Sequence, residues 1–356
     1  MTQSFSHPLH AFRGFAILNV VAIHAFAVIL IYTNNTGGVV GWPPVMLGTM
    51  SQVLFHDSTL YFTFISGILF SRILADRGYT RFFRSKLLYV VLPYIVVTVV
   101  YSLRVSNGPF GTPAGVFDGG LQEFGALVGI NLVTGMATLI FWYIPVLLAL
   151  YAMTPVLDWL SRSRGAVIPV LVIILAPLVC SRVFPDVTWA NYVYFLGAYL
   201  IGILVGRNYE RTIEVSRERG HLLVIVAVVT TAFIAAAQNL EIPVYGVTVL
   251  AESAWYLQKI ALAGLALVWF ERTMAKRVPN WLKFCGDYAF AIYFLHMIPL
   301  LVLVEIMARA GIRVDSTAVL LAFMSLSLVL SLAGAVLLTW IFRRVLGRYS
   351  RCVIGA

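Results

Sequence analysis

The sequence predicts an all-α, polytopic integral membrane protein, with about ten transmembrane helices forming a single domain over residues 1–356. Three observations lead to this fold class. Hydrophobic residues make up 61% of the chain and charged residues only 11%, whereas a soluble domain carries roughly 25% charged residues. Long apolar runs also recur along the whole chain, and about 20 apolar residues are enough to span a bilayer as a helix.

Ten predicted spans account for the apolar runs. In order, they lie at 12–32, 47–70, 86–104, 138–158, 166–184, 190–206, 220–239, 248–270, 286–307 and 316–341. The first run is longer than the hydrophobic region of a typical signal peptide, and no small-x-small cleavage site follows it, so we expect it to remain as a span. Segment 121–135 is apolar but short and holds three glycines, which favours a re-entrant or interfacial piece.

The distribution of basic residues predicts the orientation of these spans. With the N-terminus inside, 20 of the 25 lysines and arginines lie in inner segments, four lie in outer segments, and Lys259 lies within a span. This asymmetry follows the positive-inside rule and predicts that both termini are cytoplasmic. The net charge of +10 is then mainly an orientation signal. Nucleic-acid binding is not expected, because the charges are scattered over short loops.

Two ionisable residues on the first span are the strongest candidates for function. Arg13 and His24 are eleven positions apart, so on a helix they share one face and are separated by about 16 Å along the axis. With Arg13 at the membrane surface, His24 lies near the bilayer centre. An ionisable side chain at that depth is costly, and it marks a functional site by default.

Other polar residues are predicted at a similar depth. At 1.5 Å per residue they lie roughly 15 Å from a membrane surface, and they are His56, Asp57, Lys259 and His296. Each is explained either as an interhelical hydrogen-bonding residue or as part of a shared polar cavity. We favour the cavity, because four spans carry such groups near one plane. The three cysteines are widely spaced and predict neither a metal site nor a disulfide.

The Arg-x10-His pattern of Arg13 and His24 resembles the signature of membrane-bound acyltransferase family 3, which includes bacterial integral membrane O-acyltransferases. Five further segments resemble family motifs in matching order and spacing. They are LYFTFISGIL (60–69), RFFRSKLLYVVLPY (81–94), FWYIPVLLALYAMTP (141–155), YFLGAYLIG (194–202) and GDYAFAIYFLHMIP (286–299). We expect a stand-alone member without an esterase-like domain after the last span.

The resemblance implies transfer of an acyl group, which we expect to be acetyl, from acyl-CoA to a hydroxyl of a cell-envelope glycan or glycolipid. It also implies a multi-pass protein of the bacterial cytoplasmic (inner) membrane, in contact with membrane lipid and holding no permanently bound cofactor. A neutral histidine is suited to take the hydroxyl proton near pH 7. His24 is our candidate, either as general base or as a transient acyl carrier. Arg13 is expected to bind the phosphate or pantetheine end of the donor.

Further residues are weaker candidates for substrate binding. The basic residues Arg72, Arg81, Arg84 and Lys86 are candidates for the donor phosphates, although topology and lipid contact explain them equally well. Trp142 is a candidate for the acyl or sugar site, His296 for orienting His24 or facing the acceptor, and Asp57 for fixing a histidine tautomer. The long outer loop at 105–137 is expected to cap the acceptor site.

Two other function classes remain open at this stage. The first is a secondary transporter or exporter of a small polar molecule, in which the same intramembrane histidines and lysine form an ion pathway. The second is a non-enzymatic, flippase-like subunit of an export assembly. Only an acyltransferase requires coenzyme A, so release of coenzyme A that depends on His24 and Arg13 separates the classes. The sequence predicts no oligomeric state.

Overall fold

A computed structural model describes residues 7–103, 120–182, 187–239 and 244–356 of the protein. Over these residues the chain is built from helices joined by short turns, which confirms the predicted all-α class. Nine helices in the described part are long and apolar enough to cross a membrane, which confirms a polytopic bundle. The cytoplasmic location of the termini and the single domain stay predictions. Residues 105–119 of the outer loop predicted at 105–137 lie outside the described residues.

Seventeen α-helices make up the described fold. In chain order they are α1 (His7–Asn35), α2 (Trp42–Phe55), α3 (Thr59–Leu69), α4 (Tyr79–Lys86), α5 (Leu92–Ser102), α6 (Gly120–Thr134), α7 (Tyr143–Arg162), α8 (Val167–Leu175), α9 (Trp189–Arg207), α10 (Tyr209–Glu218), α11 (Gly220–Asn239), α12 (Val244–Met274), α13 (Asn280–Asp287), α14 (Ala289–Leu295), α15 (Met297–Arg309), α16 (Thr317–Leu346) and α17 (Ser350–Val353). Short π-helical turns at Phe70–Leu74 and Leu87–Val91 extend α3 and join α4 to α5.

Two apolar helices are shorter than a full span. Leu121–Thr134 falls on the segment that the sequence identifies as re-entrant or interfacial, and Arg164–Val179 falls on the fifth predicted span, 166–184. The second helix is about 24 Å long at 1.5 Å per residue, less than the hydrocarbon thickness of about 30 Å. Over its described residues, 166–182, the predicted run is α-helical only in α8, and 3-10 turns flank α8 on both sides.

The helices form two compact units that interleave along the chain. The first unit contains Met1–Ala16, Asp57–Leu87 and Trp142–Gly286, and the second contains Ile17–His56, Leu88–Phe141 and Asp287–Ala356. Helix α1 (His7–Asn35) has residues in both units.

The first unit is built around close packing of α3 against α9. A Cβ atom added at Gly67 would collide with the backbone carbonyl oxygen of Tyr199, and one added at Gly202 would collide with that of Phe64. Small residues allow two helix backbones to approach closely, which is the main source of helix association where lipid replaces water. The glycines of two family-like motifs therefore serve as a packing seam.

The second unit is held by side chains that hydrogen-bond to the backbone of neighbouring helices. The Ser327 hydroxyl donates to the carbonyl of Ala25 on α1 (3.1 Å), and the Tyr101 hydroxyl donates to the carbonyl of Phe294 on α14 (3.1 Å). Polar groups inside a membrane have to find partners within the protein. These bonds link α16 to α1 and α5 to α14.

The π-helical turn at Leu87–Val91 has a cause in the sequence. Pro93 follows it, and proline both lacks an N–H and crowds the carbonyl of the residue four positions earlier, here Tyr89. A wider turn relieves this crowding. The Pro-Tyr pair that ends the basic run therefore sets the shape of the junction between α4 and α5.

The packing seam gives a first prediction. Gly202→Ala should destabilise the protein by about 1–3 kcal/mol, the usual cost of overpacking, because the added methyl group meets backbone rather than a flexible side chain. The measurement is the midpoint of thermal unfolding in detergent. Gly165→Ala is the matched control, because a Cβ there meets nothing within 4 Å. Equal midpoints for the two variants would contradict a tight seam.

Candidate active site

The second unit brings together two of the histidines that the sequence predicts at a common depth. His24 lies in the middle of α1, and His296 lies at the junction between α14 and α15. The Nδ1 atom of His24 is 3.1 Å from the Nε2 atom of His296. The His296 side chain is fully buried, whereas His24 is half-buried. Within the pair, His296 is therefore inaccessible from outside the protein, whereas His24 is partly accessible.

Hydrogen bonding determines where the protons of this pair reside. The Nδ1 atom of His296 is 3.0 Å from the carbonyl oxygen of Ile292 and 2.8 Å from that of Tyr293. A carbonyl oxygen only accepts, so Nδ1 of His296 carries the hydrogen and its Nε2 carries a lone pair. His24 must then donate from Nδ1. In the neutral pair, the Nε2 atom of His24 is left with a lone pair that can accept a proton.

The helical segments α14 and α15 are separated at His296, and Pro299 explains this break. Pro299 cannot donate the backbone hydrogen bond that would continue the helix to residue 295, and α14 ends there. The carbonyl of His296 is taken up instead by the hydroxyl of Ser331 on α16 (2.9 Å). A Cβ atom added at Gly334 would collide with the ring of Pro299, so α16 packs directly against the break.

Aromatic side chains surround the buried end of the pair. The ring of Tyr293 lies 6.2 Å from that of His296, and the Tyr293 hydroxyl donates to the carbonyl of Ile140. Phe141 packs against both Tyr293 (6.4 Å) and Phe294 (5.6 Å). This apolar wall excludes water from His296 and strengthens the hydrogen bond between the histidines.

Arg13 lies on the part of α1 that belongs to the first unit. Its side chain is half-buried. The neighbouring rings of Phe12 and Phe15 pack against Tyr61 and Phe270 at centroid distances of 5.7–6.1 Å. Because α1 is continuous from His7 to Asn35, the spacing of Arg13 and His24 is that of one unbroken helix.

The first unit contains a buried cluster of charges centred on Arg182. Its guanidinium donates two hydrogen bonds to the carboxylate of Asp57 (2.8 and 2.6 Å) and one to Glu252 (2.6 Å). The Tyr194 hydroxyl donates to the same Asp57 carboxylate (2.8 Å), and its ring lies 3.8 Å from the guanidinium carbon. Only 8% of the Arg182 side chain and 3% of that of Asp57 are exposed.

This cluster changes the interpretation of Asp57, which the sequence offers as a residue that fixes a histidine tautomer. Both carboxylate oxygens are engaged by Arg182 and Tyr194, and the tautomer of His24 is set by His296. Asp57 also has a positive φ of 56° between α2 and α3, a conformation that costs a non-glycine residue energy. The ion pair therefore holds a strained break in the span at 42–77.

Arg182, Tyr194 and Glu252 were not among the residues predicted from the sequence. One signal was present, because Arg182 is among only four basic residues in the predicted outer segments and so runs against the charge asymmetry. Lys259, which was identified, is fully buried in the same unit. It lies within electrostatic range of Asp57, and its amine is 5.8 Å from the centroid of the Tyr61 ring.

Arg72, a candidate for the donor phosphates, is held by protein side chains. Its guanidinium pairs with Glu210 (3.0 Å) and lies 3.8 Å from the centroid of the Tyr209 ring. Burial, and then a hydrogen bond to Glu271, raises the pKa of Tyr209 above its usual range, so this phenol stays neutral. These contacts hold Arg72 within the first unit.

The remaining candidates lie in different surroundings. Arg81 and Arg84 on α4 are exposed, whereas the Lys86 amine lies 4.3 Å from the centroid of the Tyr151 ring. Trp142 is half-buried at the start of α7, with its ring 5.7 Å from that of Phe195. None of these positions tests the predicted contacts with substrate. Within the described chain, no group of three or more histidine, cysteine or acidic residues is placed to hold a metal ion.

Comparison with protein families gives a match over nearly the whole chain. A family model described as an acyltransferase domain, acyltransferase family 3, matches residues 7–340. The comparison with curated proteins and the comparison with solved structures each found no match. The matched range includes both histidines of the pair, Arg13 and the cluster around Arg182.

The Arg182 cluster gives a second prediction. Arg182→Gln should destabilise the protein by about 3–5 kcal/mol, because removing one partner leaves buried carboxylates without their counter-charge. Arg309→Gln is the control: Arg309 also pairs with a carboxylate, that of Glu305, but 80% of its side chain is exposed, and exposed pairs contribute roughly 0–1 kcal/mol. Both are measured by thermal unfolding in detergent. A loss for Arg182→Gln no larger than for the control would refute a structural role for the cluster.

Proposed function

The chain belongs to acyltransferase family 3 and is a multi-pass membrane acyltransferase; from this premise we propose that it moves an acetyl group from acetyl-CoA to a hydroxyl of a cell-envelope glycan or glycolipid. The proposal places the protein in the bacterial cytoplasmic membrane. The observation that carries it is the hydrogen-bonded chain from His24 through His296 to two backbone carbonyls. This chain supports a role for His24 as a base.

The proposed reaction uses Nε2 of His24. This atom takes the proton from the acceptor hydroxyl while the oxygen attacks the thioester carbonyl carbon. The tetrahedral intermediate collapses, the carbon–sulfur bond breaks, and the proton on His24 passes to the departing sulfur of coenzyme A. The ester and the free thiol are the products, and the histidine returns to its neutral form. In the alternative, the same nitrogen attacks the thioester and carries the acyl group.

His296 acts in this proposal through His24. When His24 takes a proton, its Nδ1–H still donates to Nε2 of His296, and the ring cannot rotate without breaking that bond. His296 cannot turn either, because its own Nδ1–H is held by two carbonyls of α14. A base held in one tautomer and one orientation loses little entropy on reaching the transition state.

In this proposal, Arg13 binds the donor, acetyl-CoA. A guanidinium presents a planar set of N–H groups that matches phosphate oxygens. Its place eleven residues before His24 on one continuous helix supports separate duties for the two residues, donor binding for Arg13 and proton transfer for His24.

The decisive experiment is acyl transfer by purified protein in nanodiscs, followed through release of coenzyme A and radiolabel in an extracted glycan fraction. His24→Ala should lower the transfer rate by about 10²–10⁴-fold, the usual contribution of a general base. His221→Ala is the matched control, because His221 is an exposed histidine on α11. Acyl label on the rapidly trapped wild-type protein that is labile to acid and to hydroxylamine, and is absent from His24→Ala, would instead favour the acyl-carrier route.

One outcome would overturn the function itself. If the wild type neither binds nor turns over acetyl-CoA or longer acyl-CoAs with any envelope fraction, the donor assignment is wrong. The transporter class, which needs no coenzyme A, would then have to be tested by substrate uptake in liposomes.

A graded series tests the role of His296. His296→Gln keeps an acceptor near the position of Nε2, whereas His296→Phe removes it and keeps the ring. We expect kcat to fall from wild type to His296→Gln to His296→Phe, with KM for the donor unchanged. If both variants lose activity equally while unfolding at the same temperature as the wild type, His296 does not act by orienting His24.

Substitution of Arg13 should affect binding rather than chemistry. Arg13→Ala is expected to weaken acetyl-CoA binding by roughly 10- to 100-fold, the range for losing a hydrogen bond to a charged group, with Arg13→Lys between it and the wild type. Equilibrium binding of labelled acetyl-CoA measures this directly, with His24→Ala as the comparison that keeps binding. Unchanged affinity in Arg13→Ala would remove Arg13 from the donor site.

A further inference from the structure

The second unit contains a pocket whose lining residues have no role in the proposed reaction described above. Its volume is about 560 Å³, and three arginines face it, Arg343 near the end of α16 and Arg348 and Arg351 in the turn and short helix that follow. Asp287 is the only acidic side chain among its lining residues. The lining side chains therefore carry a net charge of +2, which the terminal carboxylate of Ala356, also in the lining, reduces to +1.

Aromatic rings hold each of the three arginines. The guanidinium carbon of Arg343 lies 4.6 Å from the centroid of the Tyr288 ring, and that of Arg351 lies 4.2 Å from the centroid of Tyr89. Arg348 donates to the hydroxyl of Tyr349 (2.9 Å) and lies over its ring. A guanidinium that rests on a ring keeps N–H groups at its edge available for a second partner.

The basic residues of the first unit are satisfied differently. Arg207 and Arg162 both pair with the buried carboxylate of Asp158, and Arg72 pairs with Glu210. In the described chain, none of the three pocket arginines forms an ion pair with a carboxylate. The three positive charges outnumber the carboxylates of Asp287 and Ala356 in the lining, and a bound anion would neutralise the excess.

The positive-inside rule alone does not account for the placing of three arginines around one pocket. Helix α16 contains no charged residue from Thr317 to Phe342, a stretch long enough to span the bilayer, so Arg343 lies at a membrane surface. Basic residues there follow the positive-inside rule and complement the helix dipole. Those effects require the charge but not an enclosing pocket, and Arg344, the next residue, serves them while lying outside the pocket.

We propose that this pocket binds a phosphate-bearing group, a phosphomonoester or diphosphate, through Arg343, Arg348 and Arg351. Arginine binds such groups with charge-assisted, often bidentate hydrogen bonds, and the volume lies in the range of small-ligand sites. Two sources offer this chemistry, the nucleotide end of a soluble donor and the headgroup of an anionic phospholipid. Tyr288, whose ring contacts Arg343 of the pocket, lies eight residues before His296 across α14. This spacing corresponds to a rise of about 12 Å along the helix axis.

The first arm of the test uses adenosine 3′,5′-bisphosphate and protein in nanodiscs of phosphatidylcholine. The triple variant Arg343→Gln, Arg348→Gln, Arg351→Gln should bind the nucleotide at least tenfold more weakly than the wild type. Arg344→Gln is the matched control and should bind as the wild type does. The three single substitutions are measured in parallel, so the test stands if the triple variant does not fold. Binding is expected to weaken as salt concentration rises.

The second arm measures lipid retained by the same proteins after purification from membranes containing phosphatidylglycerol. Loss of nucleotide binding in the pocket variants but not in Arg344→Gln supports the proposal with a soluble source. Loss of retained phosphatidylglycerol with the same pattern supports it with a lipid source. If neither ligand distinguishes the pocket variants from Arg344→Gln, the proposal is wrong. No acyl transfer is involved, so failure here leaves the roles of His24 and Arg13 untouched.

Discussion

Charge inside a membrane-spanning bundle has to be neutralised by the protein itself, because lipid offers no hydrogen bonds. The chain meets this constraint in two ways. Around Arg182, one guanidinium binds the carboxylates of both Asp57 and Glu252, and the amine of Lys259 is buried in the same unit. Around His24, charge is avoided, because two neutral imidazoles share one hydrogen bond that ends on backbone carbonyls. The first arrangement gives rigidity, and the second leaves one nitrogen able to accept a proton.

The geometry of the histidine pair depends on the helix break beside it. Pro299 ends the regular hydrogen-bonding of α14, and Ser331 takes up the carbonyl that the break exposes. The Nδ1 atom of His296 can then bond back to its own helix. Because each of these partners is a backbone group or a short side chain, the proton positions follow from the fold itself. The tautomer of His24 thus follows from its contact with another histidine rather than with a carboxylate.

Much of this helical fold could be predicted from the sequence, because long apolar runs indicate helices that can span a membrane. The contact between His24 and His296 agrees with the common position that helix geometry predicts for them, while their depth in the membrane stays a prediction. The pairing of Asp57 with Arg182 could not be predicted, since 125 residues separate them and no local pattern encodes such a contact. The pocket could not be predicted for another reason. Arg343 and its neighbours fit the positive-inside rule, and only the packed structure shows that Arg343 lines the pocket whereas Arg344 does not.

The 125 residues between Asp57 and Arg182 also affect how the protein is inserted into the membrane during synthesis. At roughly 5–20 residues per second of synthesis, the Asp57 carboxylate enters the membrane about 6–25 s before its guanidinium partner is available. During that interval the insertion machinery or water has to solvate the unpaired Asp57 carboxylate between α2 and α3. The ion pair can form only after Arg182, in the segment before α9, has been inserted. Biogenesis of the first unit is therefore a late event that couples the second span to the middle of the chain.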